Sequence, residues 1–438
     1  MLRHARRMRS DPLGFLVDCA AECGDIVEFP IPRQRVFFVN DAEAASRVLQ
    51  GNHRAYGKST VQYRSLALVT GDGLLVSEGE DWLRGRRLVQ PAFHQRTLEA
   101  LGGHVADAAT KMLATWDAAP DGTVVDVDEA MMLATLEVVG HALFSTDLGT
   151  QGEELVGAVL QALDRVVARA RSPLPLPLRW PTPGNTRLRR AVDRLDESVE
   201  TMVRRRRELG ADGDAADLLG LLLGAVGTER EVRDQVVTLI VAGQETVASA
   251  LTWACWLLSG DAQVADRLAE ESVRVLGGRP PSAADFAGLT YARQVLDEAL
   301  RLYPPAWVVT RRVLEDDVLV GAPVPAGSLV ILSTYALHRN PRVWAHPDRF
   351  DPDRFGPEAR AATGRTDGGR LGYLPFGAGP RMCIGRDFAL VEGVLMLAAM
   401  AGRFRLERLP GAVVRPDPSV TIRPKGGLPL RLRRRIAG

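Results

Sequence analysis

At 438 residues, 46% of them hydrophobic, the chain can bury a large core, and a net charge of +1 gives no bulk reason to expect nucleic-acid binding. The four cysteines, Cys19, Cys23, Cys255 and Cys383, are few and irregularly spaced, which argues against a disulfide framework and suits a reducing cytosol. No stretch reaches about 18 uninterrupted apolar residues, and no apolar core of signal-peptide length follows the arginine-rich start, so a soluble cytoplasmic protein without a membrane anchor is expected.

Lysines occur only at 58, 111 and 425; the arginine excess reads as coding bias of a GC-rich genome. The clusters Arg204 to Arg207 and Arg433 to Arg435 read as solvated helix faces or tails. Cys19 and Cys23 would share a helix face, but no further cysteine or histidine pair completes a zinc set. No Cys-x-x-Cys-His exists for covalent heme attachment.

In chain order, Asp11-Pro12 opens a short amphipathic helix to Ala21. Two strand-like runs follow, Ile26 to Ile31 and Val36 to Asn40, and Asp41 is placed to cap a helix ending near Gly51. Tyr56 to Glu80 reads as a long irregular loop. Its Gly71-Asp72-Gly73 fails the dinucleotide fingerprint because position 76 is valine. Helices are expected over Asp81 to Val89, Thr97 to Ala118, Asp128 to Phe144 and Glu153 to Ala170. A connector from Ser172 to Gly184 carries five prolines between leucines and reads equally as linker or lid.

Helical patterns resume at Leu188 to Glu208 and Ala216 to Val226. Glu229 to Ser259 then reads as one core helix of about 45 Å. Asp261 to Leu276 and Tyr291 to Tyr303 are further helices, and Val318 to Val320 and Leu329 to Ser333 are strands. A proline-rich coil covers Pro341 to Pro357 and a charged, glycine-rich insert Glu358 to Gly372; a helix from Asp387 to Ala401 and short strands close the chain. No repeat or interdomain linker interrupts residues 1–438, so one mainly α unit with a small β portion is expected.

Phe376-Gly-Ala-Gly-Pro-Arg-Met-Cys-Ile-Gly385 has a glycine-rich backbone around one sulfur, with Arg381 two residues before Cys383. Such a loop favours a buried thiolate as metal ligand over an inert structural cysteine. In the predicted core helix, Ala242-Gly-Gln-Glu245-Thr246 sets a costly glycine beside an acid and an alcohol. Thr246 can bond back to Ala242 O and open a local groove.

The first loop resembles the cysteine-ligand signature of the cytochrome P-450 superfamily, Phe-x-x-Gly-x-Arg-x-Cys-x-Gly, with every fixed position filled. The second stretch resembles that family's oxygen-activation motif. Glu298-Ala-Leu-Arg301 and Arg354 resemble its Glu-x-x-Arg pair and the arginine that completes a structural triad. The motifs occur in the family's order over nearly the whole chain. The resemblance implies the P-450 fold, with the long central helix over heme b and its iron ligated by the Cys383 thiolate. It implies that Thr246 bonds the oxygen being activated while Glu245 relays protons. Trp82 and Arg86, one turn apart, and Arg311 and Arg381 would receive the two propionates. The expected cofactor-binding set is Trp82, Arg86, Ala242, Arg311, Phe376, Gly377, Arg381, Cys383 and Gly385, with Cys383 the metal ligand. His338 and His94 are expected to be core or capping residues.

The resemblance also implies a monooxygenase that inserts one atom of O2 into an apolar small-molecule substrate. Terpenoid, fatty acyl, steroid and macrolide-like molecules stay open. Electrons would come from a separate ferredoxin or flavodoxin with its reductase. A peroxide-using or isomerase-like variant and a non-catalytic heme-thiolate sensor are the rivals, and the Glu245-Thr246 pair argues against both. Val308, Val309, Leu239, Ile240 and the Val61 to Val69 stretch are the expected pocket residues, with Arg64 a charged candidate.

Overall fold

The computed structural model describes residues 7–144, 151–170, 177–208, 218–225, 228–357 and 372–435. Helix α1 (Pro12–Cys23) is capped by Asp11, whose carboxylate accepts from Gly14 N. Strands β1 (Ile26–Phe29) and β2 (Val36–Val39) form a hairpin, and Asp41 caps α2 (Ala42–Ser46), which continues as a π-turn to Gly51. The expected irregular loop is instead largely ordered: β3 (Tyr56–Gly57), then α3 (Val61–Thr70). Tyr63, Leu66, Val69 and Thr70 recur at helical spacing and are buried, so packing overrides the breaking effect of the flanking glycines.

Next come α4 (Gly79–Val89), α5 (Gln95–Ala118), β4 (Val124–Asp126), α6 (Val127–Phe144) and α7 (Gln151–Ala170). The start of the proline connector lies outside the described residues, as does nearly all of the glycine-rich insert. Helix α8 (Pro183–Glu208) already includes Gly184, the expected end of the connector, because proline suits a first helical turn. Short α9 (Leu218–Ala225) leads to α10 (Glu229–Leu258), capped by Thr228 and buried along most of its length. It is long and apolar enough to cross a membrane, but 83% of its most apolar stretch lies inside the fold, packed along α6.

Then follow α11 (Ala262–Leu276), α12 (Thr290–Leu302), β5 (Val309–Val313), β6 (Asp317–Leu319), β7 (Ala322–Val324), β8 (Leu329–Leu332) and α13 (Thr334–Leu337). The chain closes with α14 (Arg386–Ala401), β9 (Phe404–Arg408), β10 (Pro416–Pro418), β11 (Ile422–Pro424) and β12 (Pro429–Arg434). The main sheet runs β1-β2-β8-β5-β3, with β2 and β8 parallel; a second runs β4-β12-β9, and β10-β11 and β6-β7 are hairpins. Arg433 and Arg435 are not tail residues: Arg433 bridges Glu407 and Asp121, and Arg435 pairs with Asp266. The architecture is mainly helical with small sheets, as expected.

Beside the large helical core, Glu298 and Arg301 on α12 are fully buried. Arg301 donates to both Glu298 oxygens and to the carbonyls of His338, Pro347 and Arg349. Arg354 donates to Glu298 Oε1 at 3.2 Å, which completes the expected triad. His338 is a core residue: its ring bonds Arg301 O and accepts from Leu374 N. His94 sits exposed at the α5 N-cap position without a capping bond.

Candidate active site

A cavity of about 350 Å³ lies between α10 and the cysteine loop. Cys383 is exposed to this cavity, although protein atoms crowd round its sulfur. The loop is held by Cys383 N donating to Phe376 O at 2.9 Å and Gly377 N donating to Leu374 O at 3.0 Å. Gly379 has φ +68°, and a Cβ there would lie 2.2 Å from Leu49 O, so only glycine fits this turn. Gly385 donates its N–H to the sulfur, and the Arg86 charge favours thiolate, but burial dominates and raises the free thiol's pKa. A bound metal cation would reverse that balance and deprotonate it.

Four cations line the wall beside the loop. Arg86 donates to Met382 O at 2.8 Å, and Arg381 donates to Ser77 O while lying 4.1 Å over the Trp82 ring. Arg311 donates to Tyr63 Oη at 2.9 Å. Strand alternation turns Arg311 inward and its neighbour Arg312 away from the cavity. Sequence reasoning missed the fourth, Lys58, which donates to Leu75 O and sits 4.8 Å from the Tyr63 ring centre. Its only sequence signal was its rarity among arginines. Burial, then Arg311 and Arg381, hold its pKa well below the usual lysine range, with Glu78 opposing weakly. Burial, then Arg311, lowers Arg381 to about 10. So dense a buried positive wall suits a dianionic group beside the sulfur, which is the charge pattern of a heme with two propionates.

On the opposite wall, Thr246 Oγ1 donates to Ala242 O at 2.6 Å, the expected back-bond. Gly243 admits Val139 of α6, whose Cγ2 would be 3.1 Å from a Cβ. Glu245 is buried, and Thr421 Oγ1 donates to its Oε1 at 2.7 Å; its Oε2 has no partner among the described residues. Thr421 carried no sequence signal. The chain reaches Glu245 there because Ser249 Oγ and Trp253 Nε1 both donate to Ile422 O, which clamps β11 onto α10. Burial pushes Glu245 up to about 7, against the Thr421 bond and the Arg423 charge. Arg423 itself pairs with Asp128, so a polar chain leads from Glu245 toward the β10-β11 hairpin.

Every expected cofactor-binding residue, Trp82, Arg86, Ala242, Arg311, Phe376, Gly377, Arg381, Cys383 and Gly385, lines this one cavity with Glu245 and Thr246. The apolar expectations divide: Val308, Val309, Leu239 and Leu66 line it, whereas Ile240 packs in the core. Val61 is 52% exposed and Arg64 is exposed, since both fall on the outer face of α3.

The family model for Cytochrome P450 matches residues 2–429. The chain is 37% identical to cyclooctatin synthase and 38% identical to cyclooctat-9-en-7-ol 5-monooxygenase, both of Streptomyces melanosporofaciens. These matches cover 96% and 94% of this chain and 91% and 89% of the relatives. It is 35% identical to pentalenene oxygenase of Streptomyces avermitilis, over 99% of this chain and 96% of that one. The solved structure of CYP175A1 from Thermus thermophillus is similar at a TM-score of 0.78 and 32% identity, covering 98% of this chain and 96% of that chain. With the cysteine loop, the acid–alcohol pair and the buried triad in one frame, the chain belongs to the cytochrome P450 family and is one of its monooxygenases.

Proposed function

We propose that this enzyme oxygenates a terpenoid, with heme b held through Cys383, and that a separate ferredoxin or flavodoxin with its reductase supplies electrons in the cytoplasm. The observation that carries the reading is a cysteine sulfur, a buried acid and the neighbouring partly exposed alcohol lining one cavity. When bound, a heme with a thiolate ligand supplies O2 activation and transfer of one oxygen atom, the other leaving as water at the cost of two electrons and two protons.

The protein supplies position and protons. Lys58, Arg86, Arg311 and Arg381 offer guanidinium and ammonium donors for two propionates, and Trp82 adds its indole N–H. Glu245, poised near neutral pH, exchanges protons with the polar hairpin through Thr421, and Thr246 holds a hydroxyl at the groove by Ala242. Leu66, Leu239, Val308 and Val420 exclude water and suit a hydrocarbon skeleton. The named Streptomyces relatives, a cyclooctat-9-en-7-ol 5-monooxygenase and a pentalenene oxygenase, support the terpenoid class over the fatty acyl, steroid and macrolide-like ones.

Reduced protein under carbon monoxide should give the thiolate-type Soret band, and Cys383→Ser should lose it while the helical circular dichroism persists. A variant that kept the band would remove Cys383 from the ligand position. Terpenoids should shift the iron spin state where fatty acids of equal carbon number do not.

A further inference from the structure

Glu245 is 2% exposed, and Thr421 Oγ1, at 2.7 Å from its Oε1, is its single side-chain hydrogen-bond partner among the described residues. Leu66, Leu239, Val308 and Val420 line the same cavity, so a hydrocarbon filling that space shuts out water as a source of protons. The protons that Glu245 hands on then have to enter through the protein. Along α10, Glu245, Ser249 and Thr252 form a polar seam on one face, at steps of four and three residues. Ser249 is a dead end for protons: its hydroxyl donates to Ile422 O, an amide carbonyl that Trp253 also holds. Thr252 ends on Asp128 Oδ1 at 3.4 Å, about two turns from Glu245.

What remains is the tip of the β10-β11 hairpin, Ser419, Val420 and Thr421, beyond the last pair, Pro418 with Ile422. Both ends of the tip are pinned. Trp307 Nε1 donates to Ser419 O at 3.1 Å, while Ser249 and Trp253 hold Ile422 O. Ser419 N also donates to Thr421 O at 2.9 Å, which draws the two hydroxyl residues together across Val420. A tip fixed in this way keeps Thr421 set on Glu245. The Ser419 hydroxyl donates to Asp164, an exposed residue of α7. Asp417 and Arg423 flank that carboxylate, and Arg423 pairs with the buried Asp128. Burial, then Asp417, raises the Asp164 pKa against Arg423, Arg165 and the Ser419 bond. Burial raises Asp128 too, with Asp126 adding and Arg423 and Thr252 opposing. Glu245 in turn feels Arg423, Asp164 and Asp128, so the carboxyls from solvent to the buried acid form one electrostatic cluster.

Resting on the reading of Glu245 as a proton relay, we infer that Asp164, Ser419 and Thr421 are its supply line, with Asp164 the solvent port and Thr421 the positioning residue at the inner end. Once protonated from solvent, Asp164 turns donor to the Ser419 hydroxyl. Ser419 then releases its own hydrogen toward Thr421, directly or through one water. Thr421 accepts it and gives its hydrogen to Glu245 Oε1, along the bond already formed. Each hydroxyl breaks one O–H bond as it makes another, so no charge stays on the tip. The net result is one proton moved from solvent to the Glu245 carboxylate, with Asp164 ready to reload.

The test follows hydrogen–deuterium exchange at the Glu245 carboxyl of the heme-loaded enzyme, by stopped-flow infrared on mixing with D2O. The pH is set below about 7, where that carboxyl holds its proton. The acid stretch that Glu245→Gln removes identifies the group. Asp164→Asn, Ser419→Ala and Thr421→Val should each slow exchange by about a hundred-fold, the lower end of what a positioned proton donor contributes. Thr421→Ser should exchange as wild type does. Acetate should restore the rate in Asp164→Asn, where a small acid replaces an exposed carboxyl, and not in Thr421→Val. A merely structural role for Asp164 would give no such rescue. An unchanged carbon monoxide difference band shows that each variant is folded and heme-loaded. Wild-type exchange in any of the three slowed variants would overturn the supply line and leave Glu245 as relay intact. No stretch lost in Glu245→Gln would overturn both.

Discussion

Glu245 shows how one residue's setting becomes a measurable pH dependence. Burial raises its carboxyl from the ordinary 4.5 to about 7. Between those values the native carboxyl keeps a proton that the unfolded chain has released, so this residue's contribution to stability falls as pH rises through the window. Glu245→Gln is neutral throughout and should gain on wild type from about pH 4.5 to pH 7, by on the order of 3 kcal/mol in all. Chemical denaturation at several pH values checks this, and parallel curves would mean that Glu245 titrates normally. Lys58 poses the opposite problem, a cation crowded by Arg311 and Arg381. Lys58→Met should raise the melting temperature of heme-free protein yet speed heme transfer to apomyoglobin. Unchanged transfer would take Lys58 out of the cofactor's reach.

At the scale of elements, α12 and the coil after α13 are joined by the buried triad rather than by apolar contact alone. Arg301 spends its guanidinium on two carboxylate oxygens and three carbonyls, and Asp351 N donates to Glu298 as well. Removing Glu298 strands two arginines in the interior, at a cost of about 3–5 kcal/mol. Arg301→Lys should be nearly as damaging, because an ammonium brings three donors and no planar fork. Both variants should yield little heme-loaded protein and melt early. A normal melting temperature for Arg301→Lys would mean that charge, not geometry, holds the joint.

For the whole molecule, the cavity wall draws on residues from Val39 to Thr421, so the site exists only when the fold is complete. Heme binding and global folding should therefore be coupled, as for any group that binds only the native state. Soret absorbance and far-ultraviolet circular dichroism should be lost together as denaturant rises, at a midpoint that climbs with added heme. Loss of the Soret band well before the helices would mean that the cavity opens as a local unit.

Local chemistry was legible in the sequence. The Cys383 loop, the Glu245-Thr246 pair and the Glu298-Arg301 spacing each sit within a few residues, where backbone geometry dictates which groups meet. The long helix and the first strand hairpin were legible for the same reason, through their hydrophobic period and caps. Helix α3 carried that period too, at Tyr63, Leu66 and Thr70, but its flanking glycines pointed to a loop until packing decided the matter. Tertiary structure alone brought Thr421 onto Glu245 and set Lys58 against two arginines. Each depends on segments far apart in the chain, whose approach is set by the burial of apolar faces and not by any neighbouring residue.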